Sequence, residues 1–429
     1  MIQKARRSNR GPATTMLVLL AALVLIAVIC AMAGTPGSAS AGKPSPTPTP
    51  TGTATPPPTP TFPQPTKAWT VMVYLDGDNN LEDYVVKDIE TELSALGSNA
   101  SVNVVALADR GPGYDTSRGD WQTTKLYYCQ QGMLADAPSA VADWGERNMG
   151  DKQTLIDFVS WTKANCPASR YMIAFWDHGY MWFPQYWNTL DDTSADSLDD
   201  DEQVTAMATV GGVSVVAWDQ CQRQMIEIAA NWQPYAQAMA GSEQYTNWEG
   251  IQYDAVIAAL RATPTMTAQQ TSDKIASTAL GDSLQYSSLA LDTRFATLKT
   301  AVNDLAIALT NALPTQKANI TTAWRNTQKY TDATEKDLYD AAYQIKAKVT
   351  DATVDAKCDA VMAAVTADVT FNWTNGSTSV SRAHGVAIWW PSTAQQLKYY
   401  APDHLAYYRT TLAFGIQTQW DEFLVTFCQ

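Results

Sequence analysis

Two short apolar runs, each ending in a polar tripeptide, dominate the pattern of this chain. Arg170–Trp176 reads Arg-Tyr-Met-Ile-Ala-Phe-Trp and follows Asn165-Cys166-Pro167, which predicts a buried strand. Asp177-His178-Gly179 comes next, so an imidazole stands at the strand's end. Val213–Trp218, introduced by Gly211-Gly212, repeats the pattern and ends in Asp219-Gln220-Cys221, with a helical spacing of Met225, Ile226 and Ala229 behind it.

The rest of the chain supplies more strands and helices in alternation. Thr70–Leu75 and Val102–Ala108 read as strands, separated by Leu81, Val85, Ile89, Leu93 and Leu96 at helical spacing. The turn-rich sequence from Gly111 to Gly132 predicts a hairpin around Asp115–Asp120, and Met149-Gly150-Asp151 opens a helix carrying Leu155, Phe158, Val159 and Thr162. From Asp254 to Thr366 the pattern is helical and rich in Ala and Thr, interrupted by a strand at Tyr286–Leu291. Val369–Trp373 and Gly385–Trp390 read as strands, and a helix closes the chain. Such alternation predicts an α/β fold with a mostly parallel sheet between helices, whose sites form at the carboxyl ends of the strands.

The N-terminal pattern is different in kind. Lys4, Arg6, Arg7 and Arg10 precede an uncharged apolar run from Met16 to Ala33, so residues 1–41 read as a signal peptide or membrane anchor. Residues 42–67 are rich in Pro and Thr, cannot bury a core, and read as an extended linker. The protein is therefore expected outside the cell or on its surface, with membrane contact only through the N-terminal segment. The folded domain is expected over 68–429, with a catalytic core over 68–253 and a helical part over 254–429 completing it.

Composition narrows the chemistry. The net charge of −14, without a basic stripe, argues against nucleic-acid partners. Of six cysteines, five follow the apolar segment. Setting Cys221 aside leaves Cys129, Cys166, Cys358 and Cys428, enough for one or two disulfides in an oxidising compartment. No Cys-x-x-Cys pair exists, so no structural zinc site is expected.

Three histidines are present. His404 lies in a polar, Tyr-rich stretch and reads as a surface residue; His384 precedes a strand and reads as structural. His178 and Cys221 are the candidate base and nucleophile, and placing Cys221 in the first turn of a helix would favour its thiolate. The alternative for Cys221 is a buried or disulfide-bonded role, and for Asp219 a helix N-cap. Asp76–Asn80 lacks the glycine and the glutamate of an EF-hand loop, and the acidic run Asp191–Glu202 reads as a solvated loop or a weak calcium site.

Taken together, the Trp69–Glu82 opening (Trp-Thr-Val-Met-Val-Tyr-Leu-Asp-Gly-Asp-Asn-Asn-Leu-Glu), Trp176–Gly179, Asp219–Cys221, Gly241-Ser242-Glu243 and the terminal Trp420–Leu424 resemble the clostripain-like cysteine peptidases, in order and over nearly the whole mature chain. The resemblance implies a caspase-like α/β/α sandwich, with His178 as general acid/base, Cys221 as nucleophile, and the backbone N–H groups of Gly179 and Cys221 as oxyanion hole. It further implies that Asp219 and Glu249 line a pocket for Arg or Lys, that the partners are protein or peptide substrates, and that no cofactor is needed for the chemistry. Calcium is the one ion left open, because it is common in the family while no ligand set is legible here. The chain departs from its relatives in the aromatic loop Tyr180–Trp187, which would narrow the cleft. It also has no Lys or Arg between Gly179 and Gln220, where many relatives cut themselves. The rival reading is a non-catalytic surface binding protein on the same scaffold, with Cys221 in a disulfide or the dyad too far apart.

Overall fold

The computed structural model describes residues 60–184, 188–279, 283–398 and 404–429. The signal-or-anchor segment and most of the Pro/Thr-rich linker lie outside the described residues. Among the described residues no helix is long and apolar enough to cross a membrane. Residues before Ala68 also pack on the domain: Phe62 lies edge-on against Tyr128 and Trp161, and Gln64 N–H donates to Asn165 O at 2.7 Å.

The strands are β1 (Lys67–Gly77), β2 (Val102–Arg110), β3 (Lys125–Tyr128), β4 (Ala142–Asp143), β5 (Ala168–Trp176), β6 (Leu190–Asp191), β7 (Asp196–Ser197), β8 (Val215–Asp219), β9 (Ala238–Gly241), β10 (Gln285–Ala290), β11 (Glu335–Asp337), β12 (Val369–Thr374) and β13 (Ala387–Trp389). Nine of them form one sheet in the order β12-β10-β9-β8-β5-β1-β2-β3-β4. The five central strands, β9-β8-β5-β1-β2, run parallel, and antiparallel strands flank them on both sides. The central residues of the parallel strands are mostly apolar on both sides because helices cover both faces. Met72, Tyr74, Ile173 and Phe175 face one core, and Val71, Val73, Met172 and Ala174 face the other.

The helix Lys152–Asn165, capped by Asp151, covers the first face together with Ile226–Trp232, Thr293–Asn326 and the C-terminal helix Trp420–Cys428. The second face is covered by the helical stretch from Glu82 to Leu96 and by Tyr253–Ala262 and Ala268–Thr278. Residues from both the 68–253 and the 254–429 parts fill the first core, so these parts share one interior.

Several sequence expectations need correction. The expected hairpin around Asp115–Asp120 is present, but its arms are β2 and β3, which pair antiparallel on either side of that connection, and β4 then adds to β3. The strand at Gly385–Trp390 shrinks to β13 and pairs with β11 outside the main sheet. His404 is 1% exposed and stacks on Phe183 at 3.9 Å, so it is a core residue. Met181, Trp182 and Phe183 likewise turn inward, packing on Trp389, Tyr407 and Tyr408, so this part of the aromatic loop is buried rather than lining a cleft. Cys129, Cys166, Cys358 and Cys428 are reduced, and no disulfide forms among them.

Candidate active site

Strands β1, β5, β8 and β9 all end at the same edge of the sheet. Trp176 of β5 is in register with Asp219 of β8, so His178 and Cys221 each stand two residues past a paired position. The pairing continues through Asp177 N–H to Asp219 O at 3.4 Å. Gly179 then packs onto the backbone of Cys221. A Cβ on residue 179 would lie 2.5 Å from Cys221 O and 3.1 Å from Cys221 N.

Cys221 does not open a helix. Gln222 has φ +59°, a left-handed conformation that an α-helix excludes, and the following helix starts only at Ile226. Any lowering of the thiol's pKa by that helix is therefore not available. A tied-down turn holds the residue instead. Gln222 N–H donates to Gln244 O at 3.0 Å, Gln224 N–H to Ser242 O at 3.0 Å, and the Gln222 side chain to Glu335 Oε2 at 2.5 Å. Arg223 is buried, pairs with Asp200 at 2.7 Å and stacks over Trp218. Cys221 is half-buried, with Sγ 3.7 Å from Thr246 Oγ1. Burial pushes the thiols of Cys129, Cys166, Cys358 and Cys428 up to about 12, leaving Cys221 as the accessible thiol among the described residues.

His178 Nε2 lies 2.9 Å from Asn80 Oδ1, and burial pushes its pKa down to about 4, so the ring is neutral at physiological pH. The neighbouring Asp177 is buried and held by Asn79 Nδ2 at 2.9 Å and by the Leu190 N–H. Asn79 and Asn80 stood in the sequence as part of the Trp69–Glu82 stretch and of a rejected calcium loop, and nothing local to that turn signals a contact with His178.

The two expected pocket carboxylates are placed differently. Asp219, the last residue of β8 and not a helix cap, is 6% exposed. It accepts from Ile251 N–H at 3.1 Å and from the Tyr253 hydroxyl at 2.9 Å, and burial pushes its pKa up to about 7. Gly250 lies directly over it: a Cβ there would sit 2.2 Å from Asp219 Oδ1. Glu249 instead points outward and pairs with Lys87 at 2.6 Å, while Trp248 beside it stacks on Tyr84. Two further buried acids stand behind Asp219. Asp88 accepts from Trp176 Nε1 at 2.8 Å and Glu92 from Tyr253 N–H at 2.8 Å, and burial pushes Glu92 up to about 8. Neither was singled out in the sequence, since both sit in an ordinary amphipathic helical pattern.

A separate acidic group lies beyond Asn79. Asp78, Glu146 and Asp191 place carboxylate oxygens within 4.8 Å of one another. Asp78 Oδ1, and Asp76 Oδ2 and Asp109 Oδ2 nearby, are buried without a hydrogen-bond partner. Burial and the charges of Asp78 and Asp191 push Glu146 up to about 7.

Comparison with known proteins identifies the family. The model of the clostripain family, Peptidase C11, matches residues 73–426. Clostripain from Hathewaya histolytica is 25% identical over 223 residues, covering 45% of this chain and 42% of that protein, so the match spans less than half of its length. A secreted C11 cysteine protease from Bacteroides thetaiotaomicron, solved with an irreversible peptide inhibitor, superposes with a TM-score of 0.60 at 16% identity, covering 81% of this chain and 98% of the other. An inactive zymogen C11 protease from Parabacteroides distasonis gives 0.59 at 15% identity, covering 84% and 99%. At these identities the superpositions establish a shared fold, and the family match establishes membership. The chain belongs to the clostripain family of cysteine peptidases.

Proposed function

We propose that this protein is an exported cysteine endopeptidase that cuts after Arg or Lys, with Cys221 and His178 as its catalytic dyad. The observation that carries the reading is the close approach of Gly179 to the Cys221 backbone, which puts the two strand-end loops side by side. In the proposed reaction His178 takes the thiol proton as sulfur attacks the scissile carbonyl. The N–H groups of Gly179 and Cys221 receive the developing oxyanion. His178 then protonates the leaving amine, a thioester remains on Cys221, and water activated by the same ring releases the acid.

Specificity for a basic side chain follows from charge. Asp219, Asp88 and Glu92 form a buried acidic floor whose carboxyls burial pushes towards the neutral form; a guanidinium or ammonium arriving above it would favour their ionised forms and be held by the resulting charge and by hydrogen bonding. Glu249 sits at the rim, exchanging Lys87 for the substrate cation. The non-catalytic alternative is weakened because Cys221 is not in a disulfide. Export rests on the basic-then-apolar N-terminal pattern.

A hard divalent cation such as calcium also fits this chain. Asp78, Glu146 and Asp191 would hold it through oxygen, and the orphaned Asp78 Oδ1 is a ready ligand atom. Bound there, the ion would supply charge neutralisation to a group of acids.

The deciding experiment is hydrolysis of fluorogenic peptides ending in Arg, Lys, Asn or Asp by wild type and Cys221→Ala. Cleavage after Arg or Lys that disappears in the variant supports the proposal. Cleavage only after Asn or Asp would remove the role of Asp219 and Glu249, and no cleavage at all would favour the binding-protein alternative.

A further inference from the structure

We propose that Asn80 is a positioning residue for His178: its side-chain oxygen accepts the Nε2 proton and fixes the ring's tautomer and orientation. This rests on the proposed dyad. Asn80 Oδ1 lies 2.9 Å from His178 Nε2. A carbonyl-type oxygen only accepts, so Nε2 carries the proton and Nδ1 is the nitrogen that exchanges a proton with the thiol. Burial keeps the ring neutral, and in a neutral ring the tautomer decides which nitrogen is basic.

Asn80 is itself exposed, yet its backbone is not at liberty to move. The preceding Asn79 donates through Nδ2 to Asp177 Oδ1 and Leu190 O, both at 2.9 Å, and accepts from Leu81 N–H at 2.9 Å. Glu82 N–H reaches Asn79 O at 3.2 Å as the helix begins. Asn79 thus bolts the end of β1 to the residue beside His178 and presents Asn80 to the ring. The two consecutive asparagines divide the work, one holding backbone and the next holding imidazole.

Asn80→Leu removes the acceptor at similar volume, and Asn80→Asp keeps an acceptor at the same length. For Asn80→Leu we expect kcat to fall roughly 10- to 100-fold with KM within about twofold, a part of what acid–base catalysis contributes. Asn80→Asp should recover most of that loss. Nitrogen-15 spectra of the imidazole, assigned with His178→Gln, should show the Nε2–H tautomer in wild type and a tautomer mixture in Asn80→Leu. Thermal midpoints of all variants establish that they fold. An unchanged kcat in Asn80→Leu would overturn the proposal, as would an Nδ1–H tautomer in wild type, or a lower kcat with the tautomer unmoved. Failure of the dyad itself reads out separately, as retained activity in His178→Ala.

Discussion

Gly179 and Cys221 approach so closely that the Cβ glycine lacks would fall 2.5 Å from the Cys221 carbonyl oxygen. Contact with rigid backbone offers no side chain that could swing away. Gly179→Ala must therefore separate the His178 loop from the Cys221 turn. Overpacking of this kind costs about 1–3 kcal/mol of stability. The larger effect is expected on catalysis, because the N–H proposed for the oxyanion hole moves with it. We expect kcat/KM to drop by at least about 100-fold while the protein still melts cooperatively. Kinetics alongside a melting curve check this, and wild-type kcat/KM would remove Gly179 from the site.

Asp219 makes the proposed specificity depend on pH. Its carboxyl titrates near 7 because burial outweighs the Ile251 and Tyr253 hydrogen bonds. Below that value it is neutral, and above it the charge that attracts a cation is present. KM for a peptide ending in Arg should therefore fall as pH rises from 6 to 8, by up to roughly tenfold. Asp219→Asn should flatten the profile and raise KM throughout. The raised pKa also means that the folded state holds this proton longer, so Asp219 costs stability as pH rises from about 4 towards 7. A flat KM profile for wild type would place the substrate cation elsewhere.

The strands leading to His178 and Cys221 were legible because a parallel sheet covered on both faces writes unbroken apolar runs, as in Met172–Trp176 and Val215–Trp218. Strand β9 escaped notice because Ala-Met-Ala-Gly is short and has weak strand propensity, and its neighbours impose the conformation. The turn at Cys221 was misread as a helix start for a related reason. Met225, Ile226 and Ala229 set the helical period, but the Gln222–Glu335 and Gln224–Ser242 bonds hold the preceding residues in a turn. Those partners come from distant chain segments, and local spacing carries no trace of them. His404 looked exposed among polar neighbours and is buried by the tertiary packing of Trp182 and Phe183.

The acidic group at Asp78, Glu146 and Asp191 predicts cation-dependent stability. Calcium that binds the folded state should raise the melting temperature with concentration, and a chelator should reverse it. Asp191→Asn removes one ligand charge and should weaken terbium or calcium binding, measured by sensitised luminescence or calorimetry, by at least about tenfold. Identical binding in wild type and variant, or none in either, would exclude this site.

Arg223 and Asp200 are both fully buried and join the Cys221 turn to the helix Asp200–Val210. Arg223→Met leaves the Asp200 carboxylate without its counter-charge, a loss of about 3–5 kcal/mol. Arg223→Met combined with Asp200→Leu should recover much of that stability, since neither charge is then stranded. Denaturant unfolding of the two single variants and the double variant measures the coupling. Strict additivity would mean that the pair is not a unit.

The segment between His178 and Cys221, the proposed dyad, bears on activation. Between Gly179 and Gln220 the chain contains no Lys or Arg. The next basic residue, Arg223, is buried in its ion pair and cannot enter an active site as substrate. The segment is also held down at several points: Asp192 N–H reaches Asp78 O at 2.9 Å, and the Tyr407 hydroxyl reaches Asp201 at 2.7 Å. An enzyme that cuts after basic residues therefore has nothing to cut here in itself. We expect active protein to remain one chain across this segment, with an intact mass matching that of Cys221→Ala over the same residues. Mass spectrometry of protein labelled at Cys221 by an affinity reagent tests this on the active fraction alone. A cut within the segment in wild type and not in Cys221→Ala would show self-cleavage after a non-basic residue. That result would overturn the assignment of Asp219 and Glu249 while leaving the dyad in place.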